Sequence, residues 1–397
     1  MPTYRLLLDT PVPRSHEEEL AKRIFYVSQA IDSFTLLPEP SEPGRVTAVE
    51  VTTADSSDPA DLARKLNLVS SREILPLRLS GAGPLWTSPH SPAPVGGVFD
   101  RLVAGGVVQE TGPGLVATGE WFNRVMDGVD RRLKEIAESH GAVEYRYPTL
   151  IPVEVLHTGG YLTSFPQFVM SACRLHADVD TYTAFLEERP GDMAVRLMRF
   201  SEHVGHCLPP TMCFHTYHQM RGRALEFPET TVTSRGKSFR FEARYSRSLE
   251  RLWDFTIRET VFFGSQESVA AKRQAFLEAT CDLVTELGLA GHVEAANDPF
   301  FGGGETPRRV IAQRLHRLKY ELRLPAEEGR TVAVGSFNVH GTTFGESFGI
   351  TLPDGGFTHS ACTGFGLERF AFALFCRYGA QERDWPADVL RSLTVRR

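Results

Sequence analysis

Two short segments of alternating residues constrain this chain most tightly. Phe239-Arg240-Phe241-Glu242 and Arg251-Leu-Trp-Asp-Phe255-Thr-Ile-Arg-Glu259 are separated only by Ala243 to Glu250. Period-two alternation marks a strand. Strands joined by so short a connection pair antiparallel, because a parallel partner needs a crossover of about a dozen residues or more. Arg240 and Glu242 then share one face of the first strand; Arg251, Trp253, Phe255, Ile257 and Glu259 share one face of the second. The hairpin aims arginines, an aromatic ring and carboxylates at one place. A guanidinium fork grips two phosphate oxygens at once, and a ring beside it stacks on a base. A surface hairpin laced by salt bridges would show the same pattern.

A second segment, Cys362-Thr-Gly364-Phe-Gly366-Leu-Glu368-Arg369, runs into the apolar stretch Phe-Ala-Phe-Ala-Leu. Small residues let backbone and ligand approach closely, and a helix from about Leu367 would anchor Arg369 in its first turn. By itself this is also a turn before a core helix.

The rest of the chain reads as an α+β protein. Tyr4–Asp9 and Arg45–Thr52 are predicted strands. Ser15–Val27 is a predicted helix with Ser15 as N-cap, and a second helix starts at Asp58 with Pro59 at its first position. Residues 1–80 are thus expected to form a small α+β domain. The Pro-, Gly- and Ser-rich residues 81–95 are expected to be a linker, and residues 96–397 a second, larger domain. In that domain Trp121–His140 and about Ser268–Leu287 are predicted helices. Gly141–Pro148, Phe344–Ile350 and Ala361–Phe365 are predicted strands. Many modest strands without a regular βαβ period imply an antiparallel sheet flanked by helices.

Composition narrows the class. With 43 basic and 49 acidic residues the formal charge is −6, which argues against a strongly basic nucleic-acid binder. No apolar run reaches the roughly 18 residues of a membrane span, and no basic-then-apolar leader opens the chain. Six cysteines in 397 residues do not make a disulfide scaffold. A cytoplasmic globular enzyme is expected.

Together the two constellations resemble motifs 2 and 3 of class II aminoacyl-tRNA synthetases. Trp121 to Pro148, a long helix and a strand ending in proline, is similar to their motif 1 at the dimer interface. Gly141-Ala-Val-Glu-Tyr-Arg-Tyr-Pro148 and Leu156-His-Thr-Gly-Gly-Tyr-Leu-Thr-Ser-Phe165 resemble seryl-tRNA synthetases. So do Lys319-Tyr-Glu321-Leu and Ser336-Phe-Asn338. The resemblance spans about residues 115 to 385. The short hairpin narrows it to the atypical, zinc-dependent seryl enzymes of methanogens and their truncated relatives, the amino acid:[carrier protein] ligases.

That resemblance implies a homodimer that uses ATP and Mg²⁺ to activate a small amino acid as its adenylate. It implies transfer to the phosphopantetheine thiol of a holo carrier protein, with tRNA not the acceptor. Zinc would be held by Cys213, Glu259 and Cys362, leaving one position for the substrate α-amine. Catalytic Arg240 would hold the α-phosphate and substrate carboxylate, Glu242 the adenine amino group, and Arg251 the γ-phosphate. Phe255 and catalytic Arg369 would sandwich the adenine. Glu321 and Asn338 match metal- and substrate-contacting positions, and Glu259 also faces the substrate. Arg221, Arg223, Arg244 and Arg247 are candidates to meet an acidic carrier. Cys173, Cys207, Cys281 and Cys376 are expected to be ordinary packing residues. His203, His206, Cys207 and Cys213 offer an alternative zinc cluster. One departure stands out: Thr331-Val-Ala-Val-Gly precedes Ser336 where an acidic Mg²⁺ ligand is expected. It keeps open a non-catalytic regulatory paralogue, beside an atypical seryl-tRNA synthetase.

Overall fold

The structure is a computed structural model. It describes residues 1–38, 44–54, 56–77, 83–188, 191–242, 248–296, 318–327 and 330–393.

Strands β1 (Thr3–Pro13), β2 (Ile31–Pro38) and β3 (Arg45–Thr53) form an antiparallel sheet in the order β1-β3-β2. Val46, Val49 and Val51 of the central strand pack with Leu20 and Ile24 of the helix Glu17–Ile24 and with Leu62 and Leu66 of the helix Pro59–Val69. Asp58 caps the latter by accepting from the Ala60 N–H. Ser15 does not cap the former. A 3₁₀ turn, Arg14–His16, comes first, and Ser15 Oγ lies 2.9 Å from His16 Nδ1. Buried His16 reaches the Leu77 carbonyl at 2.6 Å, so a tertiary contact overrides the local capping signal.

The stretch rich in Pro, Gly and Ser is hydrogen-bonded to the body of the protein where it is described. Its β4 (Trp86–Thr87) adds to the edge of the large sheet, and the Ser88 N–H donates to the Gly291 carbonyl at 2.8 Å. Gly81 and Ala82 lie outside the described residues.

A small hairpin, β5 (Val108–Gly112) and β6 (Leu115–Thr118), follows. The other strands are β7 (Val143–Tyr145), β8 (Ile151–Pro152), β9 (Ser171–Leu175), β10 (Ser201–Cys207), β11 (Thr230–Phe239), β12 (Asp254–Gly264), β13 (His292–Ala295), β14 (Lys319–Pro325), β15 (Thr331–Gly341) and β16 (His359–Gly366). The large sheet runs β4-β13-β14-β15-β16-β12-β11-β7. It is antiparallel except for the β7–β11 pair, and β8-β10-β9 form a small separate sheet. Helices Glu120–Ser139, Gln266–Glu286 and Leu367–Tyr378 cover one face of the large sheet through a core that includes Phe122, Phe276, Phe365 and Phe370.

Three strand expectations change. Of Phe239–Glu242 only Phe239 is strand, as the last residue of β11, and Arg251–Trp253 precede β12. Only Val143–Tyr145 of Gly141–Pro148 is a strand. Thr343–Phe348 is a short helix, not a strand. Phe344 and Phe348 are four residues apart, so a helix presents both rings to Tyr217, with centroids at 4.2 and 5.9 Å.

Alternation along β12 divides its side chains between two layers. Phe262 joins the helix-side core, while Val261 and Phe263 join the core beneath the opposite face. Arg258, 2% exposed, faces the helices. Its Nε and Nη2 meet Asp130 at 2.7 and 2.9 Å, and its Nη1 meets Glu144 at 2.8 Å. Asp130 belongs to the helix Glu120–Ser139 and Glu144 to β7, so one guanidinium ties three elements together. Burial alone would raise the Glu144 carboxyl, but hydrogen bonds from Lys134 and Arg258 outweigh it and hold the group below 4.5. Replacing Arg258 by Met removes the buried partner of Asp130 and Glu144, leaving them Arg235 at 3.3 Å and Lys134 at 2.7 Å, and should cost about 3 kcal/mol in urea unfolding at neutral pH. In the wild type the Glu144 contribution is present above pH 4.5 and is lost as pH falls through the lower folded value, so melts repeated from pH 6 to 3 should show stability declining over that range.

Candidate active site

The sheet face opposite those three helices carries a cavity of about 290 Å³. Its floor follows from strand register. Glu321 pairs with Ser336, Ser336 with Gly364, and Gly364 with Glu259, so one row crosses β14, β15, β16 and β12. The next row holds Lys319, Asn338 and Cys362. Period-two alternation puts all of these on one face. Small residues sit at the centre and charged ones at the sides. A Cβ on Gly364 would stand 3.1 Å from Glu259 Oε1, so glycine is what lets the carboxylate lie flat there.

One end of the cavity is thiol-rich. Cys213, at the start of the helix Cys213–Met220, lines it with Glu259 and Cys362. Interaction with Cys362, then burial, holds the Cys213 thiol well above its ordinary value; interaction with Cys213, then with His340 and Asn338, draws Cys362 down. Asn338 Nδ2 lies 3.5 Å and His340 Nε2 3.6 Å from the Cys362 sulfur. Glu259 Oε2 accepts from the Cys213 N–H at 2.6 Å, and Oε1 accepts from the Thr211 hydroxyl. Burial, then Cys362, pushes the Glu259 carboxyl up to about 7 against these donors. Two thiols and a carboxylate, all buried, are the right chemistry for zinc. Among the described residues no three His, Cys, Asp or Glu side chains stand as a ready-made metal cluster. The His203/His206/Cys207/Cys213 alternative does not assemble either. His203 is exposed and its Nδ1 accepts from the Gly205 N–H, while Cys207 is buried.

The other end is cationic and aromatic. Arg240, Glu242, Phe255 and Arg369 line it together. Arg240 Nε donates to the Pro210 carbonyl at 3.0 Å, and its guanidinium carbon lies 5.5 Å from the Phe255 ring centre. Arg369 donates to the Ala333 carbonyl at 3.3 Å. Burial, then the cations of Arg251 and Arg240, pushes Arg369 down to about 10, so it stays charged near neutrality. Glu368, the residue before it, accepts from the Thr256 N–H and hydroxyl at 2.8 Å, which docks the start of the helix Leu367–Tyr378 onto β12.

The expected face of β12 is split. Phe255, Ile257 and Glu259 line the cavity, whereas Arg251 and Trp253 do not. The β11–β12 ladder ends at Phe239 and Asp254; just past it Trp253 lies on Phe241, with ring centres 4.7 Å apart, and its Nε1 donates to the Glu242 carbonyl at 2.8 Å. Arg251 Nη1 lies 3.4 Å from Glu242 Oε2. Cys207, Cys281 and Cys376 are buried, as packing residues should be, but Cys173 is exposed because it lies on the outer strand β9. Arg221 and Arg223 are exposed; Arg244 and Arg247 lie outside the described residues. Sequence reasoning assigned no role to Tyr161, Phe165, Thr211, Lys319 and His340, which stand in the cavity wall. Tyr161, Phe165 and Lys319 lie in segments that carried the resemblance, and Thr211, Lys319 and His340 each lie two residues from a candidate site residue.

This sheet, with its cavity between a thiol-rich end and a cationic end, is the class II synthetase fold. The SerRS of M. kandleri, solved with A. aeolicus tRNASec, matches it with a TM-score of 0.69 at 22% identity, over 99% of this chain and 77% of that one. The cytoplasmic serine–tRNA ligase of Naegleria fowleri, solved with AMP, gives 0.58 at 10% identity, over 84% and 70%. No protein-family model matches the chain. Amino acid–[acyl-carrier-protein] ligase 1 of Bradyrhizobium diazoefficiens is 30% identical over 270 residues, 66% of this chain and 81% of that protein. The type-2 serine–tRNA ligase of Methanococcus aeolicus is 28% identical over 283 residues, 68% and 54%. The chain belongs to the amino acid–[acyl-carrier-protein] ligase family and is a ligase.

Proposed function

We propose that this protein activates a small amino acid with ATP as the aminoacyl adenylate and passes it to the phosphopantetheine thiol of a holo carrier protein. The observation that carries this reading is that one cavity has Cys213, Glu259 and Cys362 at one end and Arg240, Glu242, Phe255 and Arg369 at the other. In the first half-reaction a substrate carboxylate oxygen bonds to the α-phosphorus and the bond to the pyrophosphate leaving group breaks. Arg240 offsets the charge on the α-phosphoryl oxygens and orients the attacking carboxylate. Glu242 reads the adenine amino group and Phe255 and Arg369 hold the ring; Arg251, outside the cavity and 3.4 Å from Glu242, turns from that carboxylate to reach the γ-phosphate. In the second, the carrier thiolate adds to the acyl carbon and AMP leaves, giving a thioester.

Zinc held by Cys213, Glu259 and Cys362 would leave an open position that fixes the α-amine. Asn338, beside Cys362, borders the amino-acid end. For Mg²⁺ the cavity offers four carboxylates among the described residues: Glu242, Glu259, Glu321 and Glu368. Glu259 belongs to the thiol end and Glu242 to adenine, while Glu368 is committed to Thr256. Glu321, which pairs with Lys319 at 3.2 Å and Arg323 at 3.5 Å, is the carboxylate this reading assigns to the metal-bound phosphates in place of the missing acid before Ser336.

We further infer a homodimer along the edge strand β7, where Val143 and Tyr145 are exposed. Residues 96–397 form the catalytic domain in this reading. Residues 1–77 hold twelve acidic and eight basic residues, a balance that suits neither tRNA nor an acidic carrier. The exposed Arg221 and Arg223 suit a carrier better. No helix of the described residues is long and apolar enough to cross a membrane; a cytoplasmic location is part of the reading.

Amino-acid-dependent pyrophosphate exchange into ATP is the direct test. One or two small amino acids should support exchange that a zinc chelator abolishes, with acylation of holo but not apo carrier protein. Exchange with no amino acid, or charging of tRNA, refutes the proposal. Cys362→Ala should fold yet retain no zinc; one full zinc per chain in that variant overturns the assigned ligands. Glu321→Gln should raise the Mg²⁺ concentration for half-maximal exchange at least about 10-fold with zinc content unchanged. An unchanged Mg²⁺ dependence excludes Glu321.

A further inference from the structure

The segment Pro209–Cys213 touches both ends of the cavity in consecutive residues. The Pro209 carbonyl accepts from the Phe239 N–H at 2.8 Å, and the Pro210 carbonyl accepts from Arg240 Nε at 3.0 Å. The Thr211 hydroxyl donates to Glu259 Oε1, and the Cys213 N–H donates to Oε2 at 2.6 Å. Met212 packs on Gly236, where a Cβ would meet its methyl carbon at 2.5 Å. The segment is therefore docked along the end of β11, with Thr211 buried.

Glu259 is held from two sides. Gly364 stands behind it, and Thr211 with the Cys213 amide stands in front. A carboxylate has about four lone-pair sites. One donor on each oxygen leaves each with a second site, and fixes the plane in which those sites point. The amide donor is backbone and present for any residue. The Thr211 hydroxyl is the only side-chain donor to Glu259 among the described residues.

We propose that Thr211 is a positioning residue that sets the Glu259 carboxylate for the metal and amine end of the site, on a segment that holds Arg240 for the phosphate end through the Pro210 carbonyl. This deepens the zinc-dependent activation reading and rests on it. Its consequence is directional: loss of the hydroxyl should weaken what Glu259 binds, while the contact that holds Arg240 comes from backbone and stays.

Thr211→Val removes the hydroxyl at nearly constant shape, and Thr211→Ser keeps it. The wild type and both variants are compared as full-length chains, with thermal unfolding followed in parallel. Thr211→Val should release zinc at about 10- to 100-fold lower chelator concentration and raise the amino-acid KM by a similar factor, with the KM for ATP unchanged. Thr211→Ser should stay within about 3-fold of wild type in each measure. Equal zinc retention and equal amino-acid KM in Thr211→Val overturns the proposal while leaving the activation reading intact. So does a Ser variant as impaired as Val, or a Val variant whose ATP KM rises equally. A wild type that holds no zinc and supports no exchange overturns the activation reading, and the proposal with it.

Discussion

The register of β12 governs the rest of the structure. Arg258 and Glu259 are consecutive, both buried and both ionisable, and they face opposite layers. A slip of one residue would drive the guanidinium into the cavity and the carboxylate into the helix-side core. Asp130 and Glu144 prevent this by giving Arg258 a partner that exists only on the helix side. Buried ion pairs contribute little net stability relative to a packed apolar core, and their firmer use is to specify one arrangement over another. Here the specified arrangement is the one that aims Glu259 at Cys213 and Cys362.

The same register sets the chemistry of the floor. Ser336 and Gly364 form the centre of a row whose outer members are Glu321 and Glu259. Bulk at the centre would push the two carboxylates out of the cavity. A low floor with charge at the sides suits an extended substrate with an amine at one end and a triphosphate at the other. The wall then comes from elements far apart in sequence: Arg369 from a helix start, Arg240 from beyond the β11 ladder, Cys213 from another helix start. Each is held by a backbone contact or a strand pairing, which keeps the cost of ordering long side chains low.

Much of this was legible beforehand because it depends on short-range periodicity. Alternation around Phe239–Glu259 implied the hairpin, and the run after Gly366 implied the helix that carries Arg369. Legibility failed where a tertiary contact outweighed a local preference. Ser15 has the right neighbours for a cap, yet buried His16 takes the turn. Phe344–Ile350 has the apolar content of a strand, yet Phe344 and Phe348 are spaced to reach one tyrosine from a helix. Trp253 has the parity of a cavity residue but lies beyond the last paired residue of β12, where parity no longer binds it.

By itself the sequence determined the antiparallel α+β class, the two motifs and the chemical identity of the groups that meet in the cavity, because these follow from residue type and spacing over a few residues. Only the tertiary structure decided that Cys213 joins Cys362 and not His203 or His206, that Thr211 lies on Glu259, and that Arg251 stands outside the cavity beside Glu242. Those choices depend on strand order and register between segments up to about 150 residues apart, and no local pattern encodes a pairing whose loop-closure cost and packing gain are both set by the whole fold.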